Sequence, residues 1–183
     1  MTMDRFLARP IRSSSLAVGL LLALAGCGPS KPKMLGAPVM GFNHTSASIN
    51  HFTVNGAAGP NIGPYQGGGG QSCCGMLPRQ WYPGLKVVVE WEKDSDPYGY
   101  GKWPEPMFSK EWGKRMDEHR TRLTRHQAVV DVPEYGERLC SIKAHFLPCD
   151  QVQVNTTCMT PQHPDYPYKE LFDVKEPKEC PAP

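Results

Sequence analysis

The sequence has no apolar run long enough to cross a bilayer as a helix: Leu16–Ala25 falls far short of the roughly 20 residues such a span requires. Neither sign of charge is in excess, with 20 Lys+Arg against 18 Asp+Glu. A chain without a basic stripe cannot build a row of phosphate contacts, so nucleic acid drops out as a partner. The glycine run Gly67–Gly70 lacks the Gly-Lys-Ser/Thr ending that sets a lysine and a hydroxyl on a nucleotide's phosphates, which disfavours a nucleotide site. No Gly-x-Ser-x-Gly elbow and no local Ser-His-Asp arrangement occurs; triads assemble in space, so this leaves catalysis unassigned rather than excluded. No repeat period emerges.

Metal and redox signatures are missing as well. No CxxC pairs with a second CxxC, and no His stands at ligand spacing from the cysteines. His44 and His51, which flank an expected hairpin, and His119 and His126, seven apart in a helical pattern, read as ordinary surface or core histidines. The sequence therefore offers no catalytic residue, no metal ligand and no cofactor.

What is present begins at the N-terminus. Arg5, Arg9 and Arg12 precede the apolar run, and Leu24-Ala25-Gly26-Cys27 follows or closes it. This is the layout of a secretory signal, and the last four residues resemble the lipobox of bacterial lipoproteins. The expectation is a signal peptide over residues 1–26, a diacylated and N-acylated Cys27 with a tether over 27–38, and a single periplasmic domain over 39–183. Two or three acyl chains, at about 0.8 kcal/mol per buried methylene, anchor a protein durably. Gly28, where an Asp would favour inner-membrane retention, points to the periplasmic face of the outer membrane. Removing residues 1–26 takes away three Arg and one Asp, leaving 17 charges of each sign.

Six cysteines remain beyond Cys27: Cys73, Cys74, Cys140, Cys149, Cys158 and Cys180. An even count in an oxidising compartment reads as disulfides, with fifteen pairings open. Because the ring formed by bonded neighbours strains the peptide, Cys73 and Cys74 are expected to reach different partners in the C-terminal half.

Alternation marks the strands. Leu85–Lys93 places Leu85, Val87, Val89 and Trp91 on one face, which should be core. Val39–Thr45 and Ser48–Val54 resemble a hairpin turning at Ser46-Ala47, with Asn55-Gly56 closing its second strand. Gln127–Val132, Leu139–Leu147 and Gln151–Thr156 alternate too. Glycine and proline dominate residues 57–83, which predicts a long loop or a set of turns rather than regular elements. Phe108–Arg122 is the one helix candidate, with Ser109 at the N-cap and Trp112, Met116 and Leu123 at helical spacing. The expected fold is mainly β, or α+β: a small antiparallel sheet or β-sandwich with one packed helix and long Gly/Pro-rich loops, stapled by disulfides. Tyr98, Tyr100 and Trp103 lie in the turn-rich segment Asp94–Pro106. Such aromatics either fold back over a core edge or form a contact surface for a partner.

The segments GFNHTSASINHFTVNG (Gly41–Gly56), GGGGQSCCGMLPRQWYPGLKVVVEW (Gly67–Trp91) and VPEYGERLCSIKAHFLPCDQVQV (Val132–Val154) resemble a proteobacterial lipoprotein family catalogued as a domain of unknown function. The GGGGxxCCxxLPxxWxPGL core is its most specific element. No catalytic residue carries over from it. Some members look like immunity proteins encoded beside type VI secretion lipase effectors. The resemblance thus implies a periplasm-facing binding or inhibitory module with a lipase-type toxin as protein partner, besides the membrane reached through the lipid. An envelope enzyme with an unrecognised active site, or a structural envelope lipoprotein, is the alternative.

Overall fold

A computed structural model describes residues 34–181. Eight strands form two four-stranded sheets: β1 (Met34–Asn43), β2 (Ser48–Val54), β3 (Ala57–Gly59), β4 (Ser72–Pro78), β5 (Lys86–Asp94), β6 (Thr124–Asp131), β7 (Ile142–Leu147) and β8 (Gln151–Asn155). One sheet runs β4-β1-β7-β8 and the other β3-β2-β5-β6. The single α-helix among the described residues, α1 (Lys110–Arg120), lies between β5 and β6 in the chain.

The core is the interface of the two sheets. Inward positions of β1 and β7 (Ala37, Val39, Ile142, Ala144, Phe146) meet those of β2 and β5 (Phe52, Val54, Val87, Val89, Trp91), all nearly inaccessible. Phe146 joins the sheets through Phe52, edge-on at 5.1 Å, and Trp91 at 5.7 Å. Burying a side chain of this size stabilises by about 1.5–3 kcal/mol relative to exposure. The alternation read in Leu85–Lys93 places Leu85, Val87, Val89 and Trp91 in this core, as expected. The mainly-β class, the helix and its cap also hold: the Ser109 hydroxyl accepts from the Trp112 N–H at 3.1 Å.

Several local expectations differ. β1 and β2 form no hairpin; they belong to opposite sheets, and the chain crosses between them over His44–Ala47. Asn43 braces the crossing, its amide nitrogen donating to Ala47 O at 2.7 Å and Gly63 O at 3.0 Å while its oxygen accepts from Thr45 N and Oγ1 at 3.1 and 2.8 Å. The hairpin is β2–β3, turned by Asn55-Gly56 with φ of 49° and 79°, the left-handed pair that a two-residue loop requires. β1 pairs with β7 in parallel, Val39 opposite Ile142 through Asn43 opposite Phe146, so the first sheet is mixed rather than antiparallel. Residues 57–83 contain β3 and β4 instead of one long loop. Gly75 allows β4 to lie against the core, since a Cβ there would stand 2.6 Å from Ile142 Cδ1. The end of the expected tether is also strand, because Met34–Ala37 pair with Pro78–Gly75 of β4.

Candidate functional site

Two surfaces concentrate the chemistry. The first is built from the turn after β5 and the helix that follows. Buried Asp94, at the end of β5, accepts from Nε2 of buried His119 in α1 at 2.9 Å, while Arg122 Nη2 donates to His119 Nδ1 at 3.3 Å. This pins the helix to the second sheet. Trp103 lies half-buried against Trp112 (6.0 Å) and edge-on to His119 (5.9 Å), with the Arg115 guanidinium over its ring at 5.9 Å. Arg115 also grips Glu105 by two nitrogens, a charge-assisted bond that holds the Glu105 carboxyl below its usual range. The three aromatics picked from the sequence therefore divide. Trp103 folds back onto the helix, whereas Tyr98 and Tyr100 are 60% and 41% exposed. The structure adds two exposed apolar side chains, Met107 and Phe108; Phe108, expected to open the helix, precedes its cap, 82% exposed with φ of 66° and its ring 5.4 Å from Trp112.

The second surface is the outer face of the β4-β1-β7-β8 sheet around the glycine run. Gln66–Gly68 lie along the C-terminal end of β1, with Asn43 N donating to Gln66 O at 2.7 Å and Gly68 N to Gly41 O at 3.0 Å. A Cβ on Gly67 would stand 2.5 Å from Gly41 O and from Phe42 Cα. These glycines serve close backbone approach rather than a phosphate grip. Between the loop, His44 and Phe172 lies a cleft of about 570 Å³.

Behind the cleft the rings of Phe42, His145 and His44 stack, Phe42–His145 at 4.8 Å and His145–His44 at 5.3 Å, with Phe172 edge-on to all three. The hydrogen bonds fix their protonation. Asn155 Oδ1 accepts from Thr157 N at 3.4 Å, so its amide nitrogen donates to His145 Nε2 at 2.9 Å. His145 Nδ1–H then donates to His44 Nε2 at 3.0 Å. A proton on Nε2 of either imidazole would face another donor, so both rings are neutral. Burial first, then repulsion from His44 and Lys143, pushes the pKa of His145 down to about 3; burial lowers that of His44. His44 and His145 are thus neither surface groups nor apolar-core residues but members of a buried polar chain. The sequence held one signal for it: Lys143 and His145 alternate with core positions in β7, which put them on the outer face. His145 is covered by the C-terminal segment, where Tyr168 and Phe172 lie against its ring, and Lys143 donates to Thr157 O.

Two cysteine pairs flank that covering segment. Cys140 pairs with Cys158 and Cys149 with Cys180, Cα atoms 5.1 and 5.3 Å apart. Cys73 and Cys74 pair with each other on β4, across a cis peptide bond, and do not reach the C-terminal half. β4 is an edge strand separated from β7 by β1; two strand spacings come to about 10 Å, beyond the roughly 7 Å limit between bridged Cα atoms. Cys27 lies outside the described residues. No group of three or more His, Cys, Asp or Glu placed to hold a metal ion occurs among the described residues.

Residues 42–154 match the family described as Protein of unknown function (DUF3304). The chain belongs to that family. No curated protein and no solved structure matches it. The matched span contains the DUF3304 chain's glycine loop, Cys73-Cys74, the aromatic turn with α1, and both Lys143 and His145. It ends one residue before Asn155, so the segment covering the histidines lies beyond the DUF3304 match.

Proposed function

We propose that this chain is a lipid-anchored binding protein of the outer membrane's periplasmic face, an immunity protein whose partner is an incoming type VI secretion lipase toxin. The docking surface is the turn and helix that carry Tyr98, Tyr100, Met107 and Phe108. One observation carries the reading. Phe108 is 82% exposed while its backbone stands at φ of 66°, a left-handed conformation costing a bulky residue about 1–2 kcal/mol. Such strain persists where surrounding structure enforces it and clusters at functional positions. Here the enforcing groups are the Ser109 cap, the Arg115–Glu105 bond and the Trp103–Trp112 contact. A rigid, water-facing aromatic on a braced turn suits an anchor that fills a partner's pocket at low ordering cost. Anchoring at Cys27 would place this surface where an incoming toxin acts; Cys27→Ser should then take up no labelled palmitate.

The test co-expresses a periplasm-directed lipase toxin encoded beside this gene with wild type, Phe108→Ala or Tyr98→Ala/Tyr100→Ala. Phe108→Ala should keep its thermal midpoint yet weaken binding at least tenfold and lose protection. Trp103→Ala should lower the midpoint as well, because that ring packs on the helix. If every variant folds and protects as wild type does, this surface is not the interface; if wild type neither binds nor protects, the immunity reading fails.

A further inference from the structure

Lys143 is 4% exposed. Its ammonium donates to the carbonyl of Thr157, and among the described residues no carboxylate lies within salt-bridge distance of it. A single backbone carbonyl leaves two of its three N–H donors without an assigned protein acceptor. Lys143 sits opposite Met40 in the parallel β1–β7 ladder, and both line a cleft of about 380 Å³ on the outer face of the first sheet. Phe42, Met159 and Pro161 give that cleft its apolar wall, buried Ser141 with Thr160 and Gln162 its other polar side chains, and Cys158 and the bare backbone of Gly67–Gly69 complete it. No side chain from the glycines narrows the cleft, and a Cβ on Gly69 would meet no atom within 4 Å. One unpaired cation at the wall of a mostly apolar cavity of ligand size is an arrangement that proteins retain for a ligand, since an uncompensated buried charge is costly.

We infer that this cleft binds a small organic monocarboxylate, its carboxylate on the Lys143 ammonium and Ser141 hydroxyl and its short apolar body against Met40, Phe42, Met159 and Pro161. The charge count selects a monoanion. The neighbouring His145 is held neutral by the Asn155 amide that donates to its Nε2 and contributes no second positive charge, so one ammonium is matched by one carboxylate. Burial lowers the Lys143 pKa to about 8, and the amine is still mostly protonated at neutral pH. This inference does not rest on the toxin reading, since the aromatic turn lies on a different part of the chain.

The experiment uses the full chain with its disulfides oxidised and three soluble probes: 3-phenylpropionate, the neutral 3-phenylpropanamide, and phenyl phosphate. Calorimetry and ligand-observed NMR should show the acid binding at least tenfold more tightly than the amide. Saturating acid should slow acetylation of Lys143 by acetic anhydride, read by peptide mass spectrometry, at least fivefold relative to the amide. Lys143→Met, with the folded state checked by circular dichroism, should erase the preference for acid, and Lys143→Arg should retain part of it. Equal binding of acid and amide, acid binding without protection of Lys143, or acid preference surviving in Lys143→Met would each overturn the assignment. Tighter binding of phenyl phosphate than of the acid would overturn the carboxylate class. Should Lys143→Met fail to fold, the wild-type comparison of acid with amide and the Lys143 protection still decide the outcome.

Discussion

Acidification should destabilise the folded domain through His145, by an amount the hydrogen-bond chain sets. The ring is fully inaccessible, accepts from Asn155 and donates to His44, and has a pKa depressed from 6.5 to about 3. A depressed folded value means that the unfolded chain takes up the proton first. The stabilisation is therefore complete above about pH 6.5 and is lost as pH falls toward the folded value. Lowering pH from about 7.5 to about 5 protonates nearly all of the unfolded imidazole and little of the folded one, removing about 2 kcal/mol at about 1.4 kcal/mol per unit. His44, lowered by burial, shifts stability in the same direction. The assay is urea unfolding at both pH values with disulfides intact, for wild type and for His145→Gln, which cannot titrate. Groups remote from His145 are common to both proteins and cancel in the comparison, whereas His44, which accepts from His145, is coupled to it, so the difference reads the pair. Wild type should lose about 2 kcal/mol more than His145→Gln across this interval. Equal losses would show that His145 is not held neutral and refute the tautomer chain argued from its partners.

Two glycines of the same run should respond differently to alanine. Gly67→Ala drives a Cβ to 2.5 Å from backbone atoms of Gly41 and Phe42 and should cost roughly 1–3 kcal/mol by thermal or urea unfolding, the usual range for overpacking, whereas Gly69→Ala meets no atom within 4 Å and should be close to neutral. The Cys149–Cys180 bridge closes 31 residues, so Cys149→Ser/Cys180→Ser should lose about 4 kcal/mol on the chain-entropy estimate. That double variant should also expose the outer face of the first sheet, read as faster amide exchange at His145 and Asn155; unchanged exchange would show that the segment stays in place without its staple.

How much of this was legible in the sequence depended on the range of the interaction. Where neighbours along the chain decide, the reading holds: the alternation through Leu85, Val87, Val89 and Trp91 gives β5 and its core face, and Ser109 caps α1. Strand partners are another matter, because one strand pattern is compatible with several neighbours. β1 and β2, four residues apart in the chain, belong to different sheets, while β1 pairs with β7 about a hundred residues later.

Periodicity and capping act within a few residues, so the mainly-β class, the position of the helix and the residues available for the core follow from the order of amino acids alone. The three-dimensional fold was needed to show that Cys73 faces Cys74, that Phe108 faces water while Trp103 packs on the helix, and that Lys143, His145, His44 and Asn155 are withdrawn from water together. Each of those outcomes depends on which distant segment covers which face. The reason is physical: burial and pairing energies arise between surfaces brought together by the fold, and no pattern along the chain records which surfaces will meet.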